Sequence, residues 1–207
     1  MDAYPPDTDQ LLFGVAIGIV TNNKDPEGLG RVKTSLPWMD GSVESDWARV
    51  VTPMAGAGRG VYFLPEVNDE VLVAFEHGNP DMPYVLGSLW NGKDKPPATN
   101  GDGKNDVRVI RSRGGSVIRL TDTDQDARIE IADSSGKNTM VIRAKDNSIT
   151  ITAAGTVTIE AGSGKLRLSG KSVEIAATST VSIESGQTMD VKATGQLTVK
   201  GSVVNIN

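Results

Sequence analysis

Carboxylates at short spacing are the first residues of this chain that could do chemistry. Glu66, Asp69 and Glu70 could supply the acid and the base of a glycoside hydrolase. They flank a predicted turn, however, where charged strand ends are common. Three aspartates alternate across residues 122–126 as in a calcium loop, but the glycine and the closing glutamate of that loop are missing. We therefore expect neither a hydrolase site nor a metal site at these positions.

Two glycine-rich segments and one histidine resemble functional motifs only locally. A phosphate-binding loop needs a glycine five residues before its Gly-Lys pair, and Ile159 and Lys165 occupy those positions for Gly162–Lys165 and Gly170–Ser172. His77 is the only histidine and has no partner motif around it. The 207 residues include no cysteine, which excludes disulfides and thiolate metal sites. The sequence thus predicts no catalytic residue, no metal ligand and no cofactor.

The overall charge and the apolar segments restrict the possible partners. The formal net charge is −5, whereas a nucleic-acid groove needs a clustered basic face. Trp38, Trp47 and Trp90 could stack bases, but the acidic balance favours packing in a core or an interface. The apolar run Leu11–Val20 is too short for a membrane helix and has no basic residues before it, so we read it as a buried strand. We expect assembly in the cytoplasm without a signal peptide.

The composition changes abruptly in the middle of the chain. All nine aromatic residues lie at or before Trp90, and all ten prolines lie at or before Pro97. We predict an N-terminal extension (1–10), a barrel domain (11–92), a linker (93–106) and a second domain (107–207). The barrel domain has six strand-like runs separated by turn signals, an arrangement that favours a small barrel of the oligonucleotide/oligosaccharide-binding (OB) topology. These runs are Val15–Val20, Arg31–Leu36, Ala48–Thr52, Val61–Leu64, Glu70–Phe75 and Tyr84–Leu89.

The second domain carries a short internal repeat. Apolar pairs spaced i, i+2 recur at steps of 7 to 9 residues, with glycines between most of them. Three looser pairs precede them at wider steps: Ile118/Leu120, Ile129/Ile131 and Met140/Ile142. Residues i and i+2 of a strand share one face, so each repeat offers two aliphatic side chains inward. Repetition at this period indicates a β-solenoid or a related stack.

A repeat of about eight residues is too short to close a triangular rung within one chain, and three chains around one axis solve this problem. Burying each aliphatic side chain is worth about 1.5–3 kcal/mol, most of it available only when partners are present. We therefore predict an all-β fold in which the OB barrel is followed by an intertwined trimeric β-helix, or β-prism. The predicted core of this homotrimer is Ile149, Ile151, Val157, Ile159, Leu166, Leu168, Val173, Ile175, Val181, Ile183, Met189, Val191, Leu197 and Val199.

The barrel domain also carries a set of specific motifs. They are DP-x-x-x-GRV, WARV, AG-x-x-x-G, PEV-x-DEVLV-x-F, GNPD-x-P and VLGSLWN, in this order within Asp25–Trp38 and Ser45–Pro97. This combination resembles the central spike proteins of contractile injection systems. These proteins include phage baseplate assembly protein V and the valine–glycine-repeat (VgrG) spikes of type VI secretion and of phage-tail-like particles.

The resemblance implies a mechanical protein rather than an enzyme. The OB end would dock on a hub of the baseplate, and the shaft would transmit contraction force and touch the target membrane transiently. No histidine follows His77 to build the metal-bound apex of some phage spikes, and residues 93–106 are too few for the lysozyme domain of others. A separate tip protein of the proline–alanine–alanine–arginine-repeat (PAAR) class is therefore implied. Its expected contact is Val203, Val204, Asn205, Ile206 and Asn207.

Two other functions remain open at this point. One is an OB-type module that binds oligonucleotides or glycans on a β-stalk, and the other is a tail-associated hydrolase. The sequence leaves open whether the particle is a phage tail, a bacteriocin or a toxin-delivery system, and whether it is released from the cell.

Overall fold

The computed structural model describes residues 11–39 and 43–206. These residues form twelve β-strands and one 3-10 turn, and no α-helix occurs among them. None of their elements is a helix that could cross a membrane. The chain divides after Gly155 into two compact units. The expected N-terminal extension lies outside the described residues, and so does Asp40-Gly41, one of the turn signals between the predicted strands.

The barrel region is a five-stranded sheet with the strand order β2-β1-β6-β7-β3. This all-β arrangement is consistent with the predicted OB fold. The strands are β1 (Val15–Asn22), β2 (Lys33–Ser35), β3 (Arg49–Val50), β6 (Glu70–Phe75) and β7 (Pro83–Ser88), and a separate hairpin joins β4 (Ala55–Gly56) to β5 (Arg59–Gly60). The core consists of small aliphatic side chains: Val20, Val32, Ala48, Val71, Val73 and Val85.

Period-two alternation explains why β1 forms and which of its faces is buried. Gly18 and Val20 are buried, whereas Val15 and Ile17 lie on the exposed face. A Cβ atom at Gly18 would lie 3.0 Å from the Cγ2 atom of Val73, so glycine permits the close approach of β1 to the core. Of the predicted strand Leu11–Val20, only the part from Val15 onward is a strand, and it is buried on one side only.

The predicted strand Val61–Leu64 is absent. The β4–β5 hairpin ends at Gly60, where φ is +154°, and the Val61 N–H group donates to the carbonyl of Met54. The carbonyl of Val61 accepts a hydrogen bond from the Thr52 hydroxyl at 2.6 Å. Because both backbone groups of Val61 already have partners, the chain after the hairpin continues without joining the sheet.

The three looser apolar pairs and the first regular pair, Ile149/Ile151, form a second sheet within one chain. It is an antiparallel meander in the order β12-β11-β10-β9-β8. Its strands are β8 (Val107–Arg111), β9 (Val117–Thr121), β10 (Arg128–Ala132), β11 (Thr139–Arg143) and β12 (Ser148–Thr152). Successive pairs here are 9 to 11 residues apart, which leaves four or more residues for each hairpin turn. Residues 107–152 thus pair within the chain, which the prediction of an intertwined shaft did not include.

The second unit has a different character. Residues 156–206 carry the repeats spaced by 7 to 9 residues, and all of them are exposed. Among these described residues the single chain forms no β-strand. The trimeric β-prism therefore stays a prediction for this part of the chain.

Candidate assembly surface

The strand register of the meander places nine aliphatic side chains on one face of the sheet. Each strand contributes neighbours to two parallel rows that run across the strands. One row is Ile110, Ile118, Ile131, Met140 and Ile151, and the other contains Leu120, Ile129, Ile142 and Ile149. We call these nine residues the aliphatic face. It includes Ile149 and Ile151, which the sequence predicts to lie in a trimer core.

The aliphatic face is open to solvent in the single chain. The relative exposure of its members ranges from 37% to 66%, so together they leave uncovered the equivalent of about four whole side chains. Covering that surface would contribute about 6–12 kcal/mol per chain at about 1.5–3 kcal/mol for each side chain, as an upper estimate. Soluble monomers rarely expose a continuous apolar patch of this kind. The aliphatic face therefore has the properties of a surface that becomes buried on association.

The opposite face of the same sheet carries mainly polar side chains. Its central row is Val109, Arg119, Glu130, Val141 and Thr150, and these positions alternate with the aliphatic ones along each strand. Arg128 lies on this face and pairs with both Asp126 and Glu130. Most side chains of this central row are half-buried, and Nε of Arg119 is buried without a hydrogen-bond partner among the described residues. The sheet thus has one aliphatic face, which is exposed, and one mainly polar face.

One charged pair stands at the end of an aliphatic row. Arg108 lies opposite Leu120 in the β8–β9 register, where an aliphatic side chain would continue the row. Its Nη1 atom forms an ion pair with the carboxylate of Asp122 and donates to the carbonyl of Asn105 at 2.9 Å. Arg108 and Asp122 are each 54% exposed at the side chain. One of the two aliphatic rows therefore ends in a charged residue at the β8 edge, whereas the other ends in Ile110.

The other predicted core residues form an aliphatic stripe in the second unit. From Val157 to Val199 their relative exposure in the single chain is 47% to 68%. Val203, Val204 and Ile206, which the sequence assigns to the tip contact, are also exposed, and Asn205 lies among them. Asn207 lies outside the described residues. The single chain neither brings the stripe residues together nor covers them.

The carboxylates that could have served a hydrolase each have a structural partner. The Glu66 side chain pairs with Arg113, and the Glu66 N–H group donates to Oδ2 of Asp69 at 2.8 Å. Oε2 of Glu70 accepts a hydrogen bond from Nδ2 of Asn91 at 3.1 Å. These contacts agree with the interpretation of the three acids as residues that stabilise a turn and strand ends.

The metal and histidine candidates remain separate in the structure. Within residues 11–39 and 43–206, no three His, Asp or Glu side chains are placed to hold a metal ion. Asp122 pairs with Arg108 and Asp126 with Arg128, so these two aspartates act in ion pairs of the meander. His77 lies in the 3-10 turn Glu76–Gly78 with φ +50°.

The three tryptophans occupy different environments. Trp47 is half-buried, with the Arg31 guanidinium 5.8 Å and the Lys33 ammonium 5.6 Å from its ring centroid. Trp38 and Trp90 are 53% and 71% exposed, so the core alternative is wrong for both of them. Packing in an interface remains the prediction for these two side chains.

A buried carboxylate organises the loop between β1 and β2. The composition and spacing of the residues do not reveal this role. The Asp25 side chain is 3% exposed and accepts hydrogen bonds from the N–H groups of Glu27, Leu29 and Arg31 at 3.0–3.2 Å. Its two oxygens also accept from the Arg31 guanidinium at 2.8 and 2.9 Å. The Arg31 hydrogen bonds are the main reason that the pKa of Asp25 is far below its usual range, and the backbone donors add to the effect. This network explains why Asp25 and Arg31 occur together in the DP-x-x-x-GRV motif.

The same loop borders an open groove on the barrel domain. The groove has a volume of about 640 Å³ between residues 28–30 and the β4–β5 hairpin. Leu29, Met54, Tyr62 and Phe63 line it with large exposed apolar side chains. Nothing in the described residues shows what covers this groove, so we assign it no ligand.

Comparison with known proteins places the barrel domain in a defined group. Residues 16–90 match the type VI secretion system/phage-baseplate injector OB domain. Over 132 residues, the chain is 28% identical to the actin cross-linking toxin VgrG1 of Vibrio cholerae serotype O1, which covers 61% of the chain and 12% of that protein. Over 126 residues it is 28% identical to the spike protein VgrG3 of the same species (58% and 12%), and over 122 residues it is 30% identical to VgrG4b of Pseudomonas aeruginosa (49% and 15%). The matches thus span less than a fifth of each of these relatives.

Proposed function

We propose, because this chain belongs to the VgrG-like family of baseplate spike proteins, that it forms the homotrimeric central spike of a contractile injection machine. The family assignment supports a role in a contractile injection system. The trimer, the hub, the target membrane and the tip protein are the parts of the proposal that go further.

The single observation that carries the proposal is the exposed aliphatic face of β8–β12. A sheet with one aliphatic face must pack that face against another layer. The chain supplies no second layer among its described residues, whereas two further copies would supply two identical aliphatic faces around one axis. The stripe from Val157 to Val199 continues the same aliphatic pattern along the chain. We therefore assign the predicted trimer core to both segments.

The mechanical role follows from how such an assembly would be built. Continuous strand pairing leaves few soft points along a shaft, and an interdigitated aliphatic core resists compression. The polar face of the meander would face water. Contraction force applied at the OB end would then reach the target envelope through a stiff trimer that assembles in the cytoplasm and docks on a hub of the baseplate.

The tip contact is proposed at residues 203–207. The family resemblance supports a separate PAAR-class tip protein, and Val204 and Ile206 offer exposed aliphatic side chains to it. Deletion of Gly201–Asn207 should leave the trimer folded, because the other repeats keep most of the core, but should abolish co-purification with the tip protein. Full tip binding by the truncated trimer would contradict this contact.

We also propose that the described residues act structurally and not as an enzyme. The support is that Glu66, Asp69 and Glu70 are each engaged in structural contacts, Asp69 by accepting from the Glu66 N–H group. One relative is named a toxin, but the chain covers only 12% of that protein. Reproducible cell-wall clearing by the purified chain, lost on substitution of Glu66 or Glu70, would overturn this part of the proposal.

The central test is the assembly state. Light scattering coupled to size-exclusion chromatography should give the mass of three chains, and the trimer should resist detergent at room temperature. A monomer mass at micromolar concentration would refute the shared aliphatic core. Binding of single-stranded DNA or of glycans by the monomer would then favour the OB-module alternative.

A further inference from the structure

The two aliphatic rows contain one charged position. Of the ten positions that the register places on this face, nine are aliphatic and one is Arg108. Asp122 follows Leu120 by two residues, and alternation directs both side chains to the same side of the sheet. The Arg108–Asp122 ion pair therefore lies on the aliphatic side, at the edge of the surface that the proposed trimer would bury.

The pair is built so that a neighbouring copy can reach it. Both side chains are about half exposed, so their own chain does not shield them. The hydrogen bonds of Arg108 within the described residues come from Nη1, which leaves Nε and Nη2 to donate elsewhere. A guanidinium with free donors beside a half-exposed carboxylate is self-complementary, because each chain offers one cation and one anion at the same height of the interface.

Aliphatic rows alone leave the alignment between copies weakly defined. Isoleucine, leucine and methionine pack against one another in many arrangements, so a neighbouring copy displaced by one strand spacing, about 4.8 Å, would still cover apolar surface. A displaced copy would, however, set Arg108 against an aliphatic side chain and leave a charge without its partner, which is costly. A single polar position in an apolar interface is a known way to select one register.

We infer that Arg108 and Asp122 of three copies join into one ring of alternating charges at the β8 end of the aliphatic core, and that this ring sets the register of the trimer. The neighbouring copy's Asp122 accepts from the free donors of Arg108, while the contact within each chain remains. The inference rests on the proposed trimer, and it assigns to these two residues the selection of partner and register.

The test uses two oppositely charged variants, Arg108→Asp and Asp122→Arg, carrying different affinity tags. Either variant alone concentrates like charges at the interface. Its trimer should therefore dissociate at a protein concentration at least tenfold higher than that at which the wild-type trimer dissociates. When the two are co-expressed, each supplies the charge that the other lacks. Sequential purification on both tags should then recover mixed trimers above the proportion that random mixing gives.

The matched control is the ion pair between Arg113, in the turn that joins β8 to β9, and Glu66 of the barrel region. It is solvent-exposed and lies off the aliphatic face. Co-expressed Arg113→Asp and Glu66→Arg chains should therefore mix at random. If the Arg108 and Asp122 variants fail to fold separately, recovery of trimer on co-expression but not on separate expression supports the ring, and no recovery overturns it.

The outcomes separate this inference from the proposed function. A wild-type chain that is not trimeric would refute the proposed trimer and the ring together. A trimeric wild type whose Arg108 and Asp122 variants mix at random would overturn only the ring. Preferential mixing of the control pair to the same degree would also overturn it, since it would show that any pair of opposite charges drives the selection.

Discussion

Replacement of Ile151 measures how much the aliphatic face contributes to assembly. Ile151 lies in β12 and is 61% exposed in the single chain, whereas Thr150 beside it points to the polar face. Complete burial of an isoleucine is worth about 1.5–3 kcal/mol, so covering the remaining 61% should contribute about 1–2 kcal/mol per chain. Three copies together make this about 3–6 kcal/mol per trimer, and Ile151→Ala should weaken the trimer by about a hundredfold or more, since 1.4 kcal/mol is a factor of ten.

Lysine at the same position gives the sharper test. Ile151→Lys would bring three ammonium groups into one apolar interior, where an unpaired charge costs several kcal/mol, so no trimer should form at micromolar concentration. Thr150→Lys adds the same charge to the polar face and should leave the trimer intact. Analytical ultracentrifugation over a dilution series measures the trimer dissociation constant of each variant. Equal weakening by the two lysines, or none by either, would show that the aliphatic face is not the interface.

Three further predictions concern other parts of the chain. Val181→Lys in the aliphatic stripe should prevent trimerisation, whereas Ser182→Lys should be tolerated, and equal damage in light scattering would mean that the inward positions are misassigned. The low pKa of Asp25 means that its contribution to the stability of the loop at residues 25–31 is present above the ordinary aspartate value of about 3.9 and decreases as the pH falls below it. Hydrogen-exchange protection of the Leu29 and Arg31 amides should therefore fall in acid and in Asp25→Asn at neutral pH, but not in Glu27→Gln, and unchanged protection in Asp25→Asn would contradict the role of the network. Gly60→Ala should destabilise the barrel domain by more than Gly58→Ala, because a Cβ at residue 60 would lie 2.6 Å from the Met54 carbonyl oxygen, whereas one at residue 58 meets nothing within 4 Å. Gly58→Ala should cost about 1–2 kcal/mol of unfolding free energy, since alanine is strained at positive φ. Equal decreases in melting temperature would argue against this hairpin geometry.

Some elements of the fold could be predicted because their signal is local. Glu70–Phe75 and Val15–Val20 alternate or run apolar between turn signals, and both are strands in the structure. Val61–Leu64 has the same apolar composition but forms no strand, since hydrogen bonds to Met54 and Thr52 already occupy the backbone of Val61. Backbone pairing across the hairpin is a tertiary property that composition does not report.

The aliphatic face was also predictable only in part from the sequence. The i, i+2 spacing of Ile129/Ile131 and its neighbours determined by itself that one side of each strand is aliphatic, because side chains alternate along any extended chain. Whether those strands pair within one chain or between chains depends on turn geometry and on hydrogen bonds between distant residues, and only the tertiary structure decided that β8–β12 form one sheet. The same register placed Arg108 across from Leu120, in line with residues up to 41 positions away in the sequence. A one-residue shift in pairing would have moved Arg108 to the polar face, and no periodicity in the sequence excludes such a shift.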